Sequence, residues 1–328
     1  MAKINAGIVG VGSYLPPRIL TNADLEKMVN TSNEWIVSRT GIKERRIADD
    51  DVATSDLAVE AAKKAIAAAG LTPRDIEVIL LATATPDTIF PSTACVVQDK
   101  LKAVNAAAMD VSAACSGFIY GLSIAKGYIA SGMYKNILVI GAETLSKITN
   151  WKDRGTCVLL GDGAGAAVIR PVPEGKGIIS VYLGADGSAG DLLKLPAGGS
   201  RLPASHKTVE EGMHYMRMSG NELFKIAVKL MAESAQRALA QCGLTCEDVA
   251  CLIPHQANIR IINAAAKRLK LPEERIFLNI EKYGNISAAS TIIGLDDALR
   301  EKRIKPGDVV VLVAFGGGLT WGSCVIKW

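Results

Sequence analysis

The feature that most restricts this chain is that it repeats itself. Gly70-Leu71-Thr72-Pro73-Arg74-Asp75-Ile76 recurs as Gly243-Leu244-Thr245-Cys246-Glu247-Asp248-Val249, an offset of 173 residues. The same offset pairs Ile137-Leu138-Val139-Ile140 with Val310-Val311-Leu312-Val313, and Cys115 with Ala288. A last match, Gly165-Ala166-Ala167-Val168-Ile169 with Gly322-Ser323-Cys324-Val325-Ile326, has an offset of 157, so the first copy holds 16 extra residues, Trp151 and Arg154 among them. Two copies of one succession of strands and helices predict a pseudo-symmetric α/β fold whose equivalent strand ends face a common centre. The expected halves are 1–173 and 174–328. Apolar runs separated by helices read as mostly parallel strands. The helix expected after Cys115 carries Phe118, Leu122, Ile124, Ala125, Tyr128 and Ile129 with almost no polar face, so it belongs between two sheets. Between the copies, residues 184–219 read as a long excursion, and loops of that length are usually functional or mobile.

The turn Asp110-Val111-Ser112-Ala113-Ala114-Cys115-Ser116-Gly117 leads from a strand into that helix, with Ala106-Ala107-Ala108-Met109 read as a short interior segment before it. Free N–H groups and the positive end of the dipole at the helix start favour thiolate over thiol, so Cys115 is the candidate nucleophile. Alone, it would read as one more small buried hydrophobe.

Its candidate partners lie in the second copy. His255, in Pro254-His255-Gln256-Ala257-Asn258, follows the strand from Val249 to Ile253, and ligands gather at such strand ends. Asn285, in Tyr283-Gly284-Asn285-Ile286-Ser287-Ala288-Ala289-Ser290, sits in the repeat of the cysteine turn. Gly316-Gly317-Gly318 would let backbone N–H groups approach a bound carbonyl. Each has a plainer reading: a core histidine, a turn residue, a tight corner. Their placement at equivalent strand ends points to one centre.

Composition narrows the alternatives. A net charge of +4 on 328 residues gives no reason to expect nucleic acid. No apolar run approaches the roughly 20 residues that span a bilayer, so no membrane insertion is expected. Met1-Ala2-Lys3 leads straight into a short apolar strand, so no signal peptide is expected, and seven cysteines without a C-x-x-C suggest free thiols in a reducing cytoplasm. Three scattered histidines predict no metal site. Gly10-Val11-Gly12-Ser13 lacks a third glycine and meets Pro16-Pro17, so it is no dinucleotide fingerprint. Gly161-Asp162-Gly163-Ala164-Gly165 leads into a strand and reads as structural.

These residues resemble the thiolase-fold condensing enzymes, most closely the β-ketoacyl-acyl-carrier-protein synthase III family. The resemblance runs from Glu34-Trp35-Ile36-Val37 through Asp153-Arg154-Gly155-Thr156 and Pro254-His255-Gln256-Ala257-Asn258 to Phe315-Gly316-Gly317-Gly318-Leu319-Thr320-Trp321-Gly322. It implies a layered αβαβα core and the initiating condensation of type II fatty-acid synthesis: a decarboxylative Claisen condensation of a short acyl-coenzyme A with malonyl-acyl-carrier protein. Cys115 would carry the acyl group, and His255 and Asn285 would hold the malonyl thioester carbonyl. The N–H groups of Cys115 and Gly317 would form the other oxyanion hole. The resemblance also implies no cofactor, coenzyme A thioester being a substrate. Trp35 and Arg154 would sandwich its adenine, with Arg39 and Asn258 along the tunnel. A basic face of Lys225, Gln256, Arg260, Lys267 and Arg268 would dock acidic acyl carrier protein.

Phe90, held by Pro91, would cross a homodimer interface and close the partner's primer pocket. Leu160 stands at a wall that is aromatic in some members. Ile286 replaces the usual threonine, which removes a hydroxyl beside Asn285. Three rivals are set against this: a type III polyketide synthase, which extends coenzyme A esters without a carrier; a papain-like thiol hydrolase, whose local cysteine motif is absent; and a catalytically silent acyl-binding protein, against which the intact Cys115, His255 and Asn285 set argues.

Overall fold

The structure, a computed structural model, describes residues 4–328. The first half opens with β1 (Ile4–Tyr14), then a ribbon of β2 (Ile19–Thr21) and β3 (Glu44–Arg46) bracketing helices α1 (Asn22–Glu26) and α2 (Asn33–Thr40). It continues through α3 (Thr54–Ala68), β4 (Val78–Ala82), α4 (Thr93–Leu101), β5 (Ala107–Val111), α5 (Gly117–Ala130), β6 (Ile137–Thr144), α6 (Arg154–Cys157) and β7 (Asp162–Pro173). The second half runs β8 (Gly177–Ala185), β9 (Leu193–Lys194), α7 (His206–Glu210), β10 (Arg217–Met218), α8 (Gly220–Ala240), β11 (Val249–Pro254) and α9 (Ile259–Leu269). It ends with α10 (Ile280–Tyr283), α11 (Ala289–Arg300), β12 (Val309–Gly316) and β13 (Thr320–Lys327).

The two main sheets have the orders β1-β7-β6-β4-β5 and β11-β12-β13-β8. β4, β6 and β7 correspond to β11, β12 and β13, while the place of β5 is reduced in the second sheet to an isolated parallel bridge between Leu252 and Ile276. The expectation of mostly parallel strands is corrected. β4 pairs parallel with β5 and β6, and β11 with β12, but β1, β7, β8 and β13 all pair antiparallel. Parallel neighbours need a crossover, whereas β12 turns straight into β13 through Gly317–Leu319.

The apolar helices do lie inside. Phe118, Ile119 and Leu122 of α5 and Ile292 and Leu295 of α11 pack with Leu80 and Val139 of the first sheet and with Ile253 and Leu312 of the second. α3 and α4 cover the outer face of the first sheet, and α8 and α9 that of the second, which completes an αβαβα stack. Truncating a fully buried ring such as Phe118 to alanine costs about 3–5 kcal/mol.

The duplication reaches single hydrogen bonds. Thr72 N and Oγ1 both donate to Asp75 Oδ2 at 2.7 Å, and Thr245 N and Oγ1 donate to Asp248 Oδ2 at 2.8 and 3.0 Å. These matching boxes sit just ahead of the central strands β4 and β11.

Two local readings resolve here. Gly10 and Gly12 lie within β1, where a Cβ on Gly12 would stand 2.6 Å from Ala65 N, so they let α3 pack close. Ala106–Met109 is not interior: β5 is the outermost strand, and Met109 is 38% exposed.

Candidate active site

Each half ends a connection to its central helix with a strained elbow. Ala114 and Ser287 both have a φ of 43°, in the left-handed region that non-glycine residues enter at a cost of order 1–3 kcal/mol. The first elbow carries Cys115 in a 3-10 turn, Ala114–Ser116, before α5; the second carries Asn285 before α11. The two meet at a chamber of about 210 Å³ whose wall includes Cys115, Asn285, Ser287, Gly317 and Leu160. Leu160 and Asn285 also form a parallel bridge, so the expected pocket residue and the expected carboxamide are neighbours.

Burial opposes the acidity expected for the thiol from the sequence. Burial pushes Cys115 up to about 12, against a lowering contribution from Ser287, and the nearby Glu143 charge raises it further. The physical reason is placement: α5 proper begins at Gly117, two residues beyond the sulfur, and the surrounding apolar matter disfavours a bare charge more than the helix start favours it. Close backbone packing is also built in. A Cβ on Gly316 would lie 2.6 Å from Cys115 N, so only glycine fits where β12 meets the Cys115 amide.

Asn285 is held by three bonds. Its N–H donates to Leu159 O at 2.8 Å, its carbonyl accepts from Gly161 N at 3.0 Å, and its side-chain Oδ1 accepts from Ser287 N at 2.9 Å. With the oxygen engaged, the carboxamide has its NH2 end left to donate. Ile286 points the other way, into a cluster with Ala289 and Ile293, so the loss of a threonine hydroxyl falls outside the chamber.

His255 follows β11 with its N–H on Val313 O at 2.7 Å. It is buried, its Nδ1 has no protein partner, and burial holds its pKa down to about 3, which makes it a neutral imidazole. The chamber wall around Cys115 is formed without it.

Gln256, expected on the carrier-protein face, is 1% exposed. Its Nε2 donates to Pro254 O at 2.7 Å, and its Oε1 accepts from Asn279 N and Ile280 N at 3.2 Å each. That expectation is corrected: Gln256 is a strut between the strand end carrying His255 and the segment leading to Asn285. Lys225, Arg260, Lys267 and Arg268 are exposed. Arg260 lies over the Phe224 ring of α8 at 5.5 Å. One helical face presents Arg260, Asn263, Lys267 and Lys270, while Arg268 turns to a cleft shared with Lys270 and Arg275.

Trp35 is half-buried on α2 and Arg154 stacks directly on it, 4.7 Å from guanidinium carbon to ring centre, with Nη1 donating to Asn30 O at 3.0 Å. No gap for a second ring exists between them, so a flat ligand between the two requires Arg154 to swing out. Arg39 is exposed in the last turn of α2, and Asn258 caps α9 by accepting from Arg260 N at 2.9 Å. Phe90 is 84% exposed, on a loop away from the chamber wall.

Several wall residues carried no signal in the sequence. Leu193, Leu195, Met216 and Met218 come from the excursion between the halves, and Leu145, Ile148 and Leu159 from the insertion between β6 and β7. Glu143, fully buried in β6 behind the two elbows, was also missed. Asp162, in the glycine-rich stretch, is structural as expected: it is buried and accepts from Ala48 N, Ser146 N and Ser146 Oγ.

A thiol on one elbow facing a carboxamide on its pseudo-symmetric twin, between two sheets and against a glycine-lined strand end, defines a thiolase-fold condensing acyltransferase. Comparisons with known proteins narrow the class. Residues 109–187 match the family model for 3-oxoacyl-acyl-carrier-protein synthase III, and residues 239–328 match the model for its C-terminal part. The β-ketoacyl-acyl-carrier-protein synthase III of Caldanaerobacter subterraneus subsp. tengcongensis is 63% identical over 99% of this chain and 98% of its own length. That of Clostridioides difficile is 60% identical over 98% of each. The crystal structure of the Aquifex aeolicus 3-oxoacyl-acyl-carrier-protein synthase III superposes with a TM-score of 0.91 at 49% identity, covering 98% of this chain and 100% of that one. The Thermus thermophilus structure gives 0.92 at 45% identity, covering 98% and 99%. The chain belongs to the β-ketoacyl-acyl-carrier-protein synthase III family, acyltransferases that perform the initiating condensation of fatty-acid synthesis.

Proposed function

We propose that this protein joins a short acyl-coenzyme A to malonyl-acyl-carrier protein through an acyl group on Cys115. The observation that carries the reading is the single chamber shared by Cys115, Asn285 and Gly317. The Cys115 sulfur attacks the thioester carbonyl, and the N–H groups of Cys115 and Gly317 meet the oxygen that becomes negative. Coenzyme A leaves, and malonyl-carrier enters. His255, neutral because it is buried, and the NH2 of Asn285 donate to the malonyl thioester oxygen as CO2 departs. Two uncharged donors stabilise the enolate without supplying a base that would draw in water. The enolate carbon then attacks the acyl-cysteine. No cofactor enters this scheme.

Coenzyme A binds along α2 and the start of α9, its adenine between Trp35 and a displaced Arg154, with Arg39 and Asn258 lining the approach. Carrier protein docks on Lys225, Arg260, Lys267 and Arg268, where positive charge steers an acidic partner. Two chains associate through the free edge of β5 and the loop bearing Ile89 and Phe90, which are 80% and 84% exposed; an open edge and exposed apolar side chains call for cover. The site of action is the cytoplasm, and among the described residues no helix is long and apolar enough to cross a membrane. Mass spectrometry of the product formed from malonyl-carrier and a panel of acyl-coenzyme A primers tests the reaction. A 3-oxoacyl-carrier two carbons longer than the primer is expected; extension of malonyl-coenzyme A with equal efficiency would favour the polyketide synthase reading.

A further inference from the structure

We propose that Thr320 is a positioning residue whose hydroxyl sets the distance between the two N–H groups that meet the primer's thioester oxygen. It does so on the reading given above, in which Cys115 N and Gly317 N are those donors. They come from different halves of the chain. Cys115 belongs to the 3-10 turn Ala114–Ser116, and Gly317 opens the turn between β12 and β13. A site of two donors works only when both reach one point, each about 2.7–3.1 Å from the oxygen that becomes negative. The glycine turn has little of its own to hold it there: Gly317 and Gly318 lack side chains, and Gly318 has a φ of 135° that other residues rarely adopt. Its far end is fixed by the excursion, where Asp186 N donates to Leu319 O and Leu319 N to Asp186 O, both at 2.8 Å.

Thr320 ties the turn to the thiol elbow. Its hydroxyl hydrogen is shared between Ala113 O at 2.9 Å and Gly317 O at 3.1 Å, one carbonyl two residues before Cys115 and the other on the residue that carries the second donor. Ser116, fully buried next to Cys115 in the chain, donates to Thr320 Oγ1 at 2.8 Å, which leaves the single Thr320 hydrogen for those carbonyls.

The repeat shows the same device on the other side. Gly316 and Thr320 are paired across β12 and β13, and their counterparts at offsets of 173 and 157 are Glu143 and Gly163, paired across β6 and β7. The polar side chain and the glycine have changed places. Each polar side chain crosses to the other half's elbow: Glu143 accepts from Ala288 N at 3.5 Å, and Thr320 donates to Ala113 O. The thiol elbow is thus held by a hydroxyl of the opposite half, at the place where that half supplies its own N–H to the reaction.

The test is single-turnover acylation of the wild type, Thr320→Val and Thr320→Ser by a short acyl-coenzyme A, with iodoacetamide alkylation of Cys115 followed alongside by peptide mass. Alkylation displaces iodide and forms no negative oxygen, so it reports on the thiol without the oxyanion hole. Thr320→Val keeps a branched side chain that suits a strand. It also leaves Ala113 O with Ser116 N at 3.2 Å and the Ser116 hydroxyl at 2.8 Å as donors, so no buried carbonyl is orphaned. Its acylation rate at saturation is expected to fall about tenfold to a hundredfold, no further than the roughly 10²- to 10³-fold that follows outright loss of a donor. The half-saturating concentration and the alkylation rate should stay within about twofold of wild type, and Thr320→Ser should recover most of the acylation rate. A folded Thr320→Val variant that acylates at the wild-type rate overturns the positioning role. Equal slowing of acylation and alkylation overturns it too, because a damaged elbow behaves that way, and so does a Thr320→Ser variant no faster than Thr320→Val. Should Thr320→Val not fold, Thr320→Ala decides by the same comparison. Peptide mapping of the wild-type adduct separates the two levels: an acyl group away from Cys115 removes the underlying reading, whereas one on Cys115 with an unaffected Thr320→Val removes the role of Thr320 alone.

Discussion

Ala114 and Ser287, 173 positions apart, hold the same left-handed backbone angle, a φ of 43°. The two halves have diverged around that shared turn. One follows it with the thiol of Cys115, and the other precedes it with the carboxamide of Asn285, so one repeated corner brings both groups to a single chamber. Each assignment that follows can be tested at a single residue.

Incubation with a short acyl-coenzyme A should add one acyl group per chain by intact mass, and Cys115→Ala should abolish it. An adduct that persists in the alanine variant would place the nucleophile elsewhere.

Asn285→Ala should still take the acyl group while CO2 release from malonyl-carrier falls, by about a hundredfold if the carboxamide is one of two oxyanion donors. The measurement is CO2 release beside single-turnover acylation. Loss of acylation with CO2 release intact would reverse the roles.

His255 makes stability depend on pH with a definite sign. Its ordinary pKa of 6.5 is held down to about 3 in the fold, so between those values the unfolded chain binds a proton that the native protein refuses. Stability should therefore fall as pH falls through that window, by about 1.4 kcal/mol per pH unit from this group. Glu143, raised above its ordinary 4.5, acts in the opposite sense but is common to both proteins when the wild type is compared with His255→Gln. Denaturant titrations from neutral to acid pH should show the variant losing less; parallel curves would mean that His255 charges within the native state.

Leu160→Phe should narrow the primers accepted towards acetyl, and Phe90→Ala should broaden them if a second chain closes the pocket. One methylene is worth about 0.8 kcal/mol, roughly a fourfold preference, so the change should be graded. Product profiles from mixed primers, with light scattering for assembly, provide the check. A fully active monomer would remove Phe90 from the pocket.

Arg260→Glu should raise the apparent KM for malonyl-carrier severalfold, with an effect that shrinks as salt is added, and leave primer transfer to Cys115 nearly unchanged. Equal effects on both steps would mean that the face is only solvated.

What could be read from the sequence was what repetition and polarity write into it. The duplication, the helix pair between the sheets and the elbows bearing Cys115 and Asn285 follow from patterns with a fixed offset. Gln256 was misplaced because an amide in a polar stretch reads as surface; only the fold shows it bonded to Pro254, Asn279 and Ile280. The burial that opposes ionisation of Cys115 left no mark in the sequence, because local rules count the helix start and not the apolar matter around the sulfur. Strand direction was overestimated as parallel because apolar runs record burial on both faces and not the sense of pairing. Glu143 left no trace, since a lone carboxylate in an apolar strand acquires its setting from Thr83, Ala84 and Thr85, all distant in sequence.

The chamber wall built from Leu193, Leu195, Met216 and Met218 belongs to neither copy of the repeat. The chamber is therefore lined from two sources, these side chains on the linking segment and Leu145, Ile148, Leu159 and Leu160 between β6 and β7. The paired elbows are locked by strain, close glycine contacts and shared hydrogen bonds, and tolerate little. The linking excursion lines the chamber with flexible, apolar side chains, methionines that adapt to shape among them. A change in that lining would reshape the chamber and leave both elbows in place, so the space and the turns that flank it can vary independently.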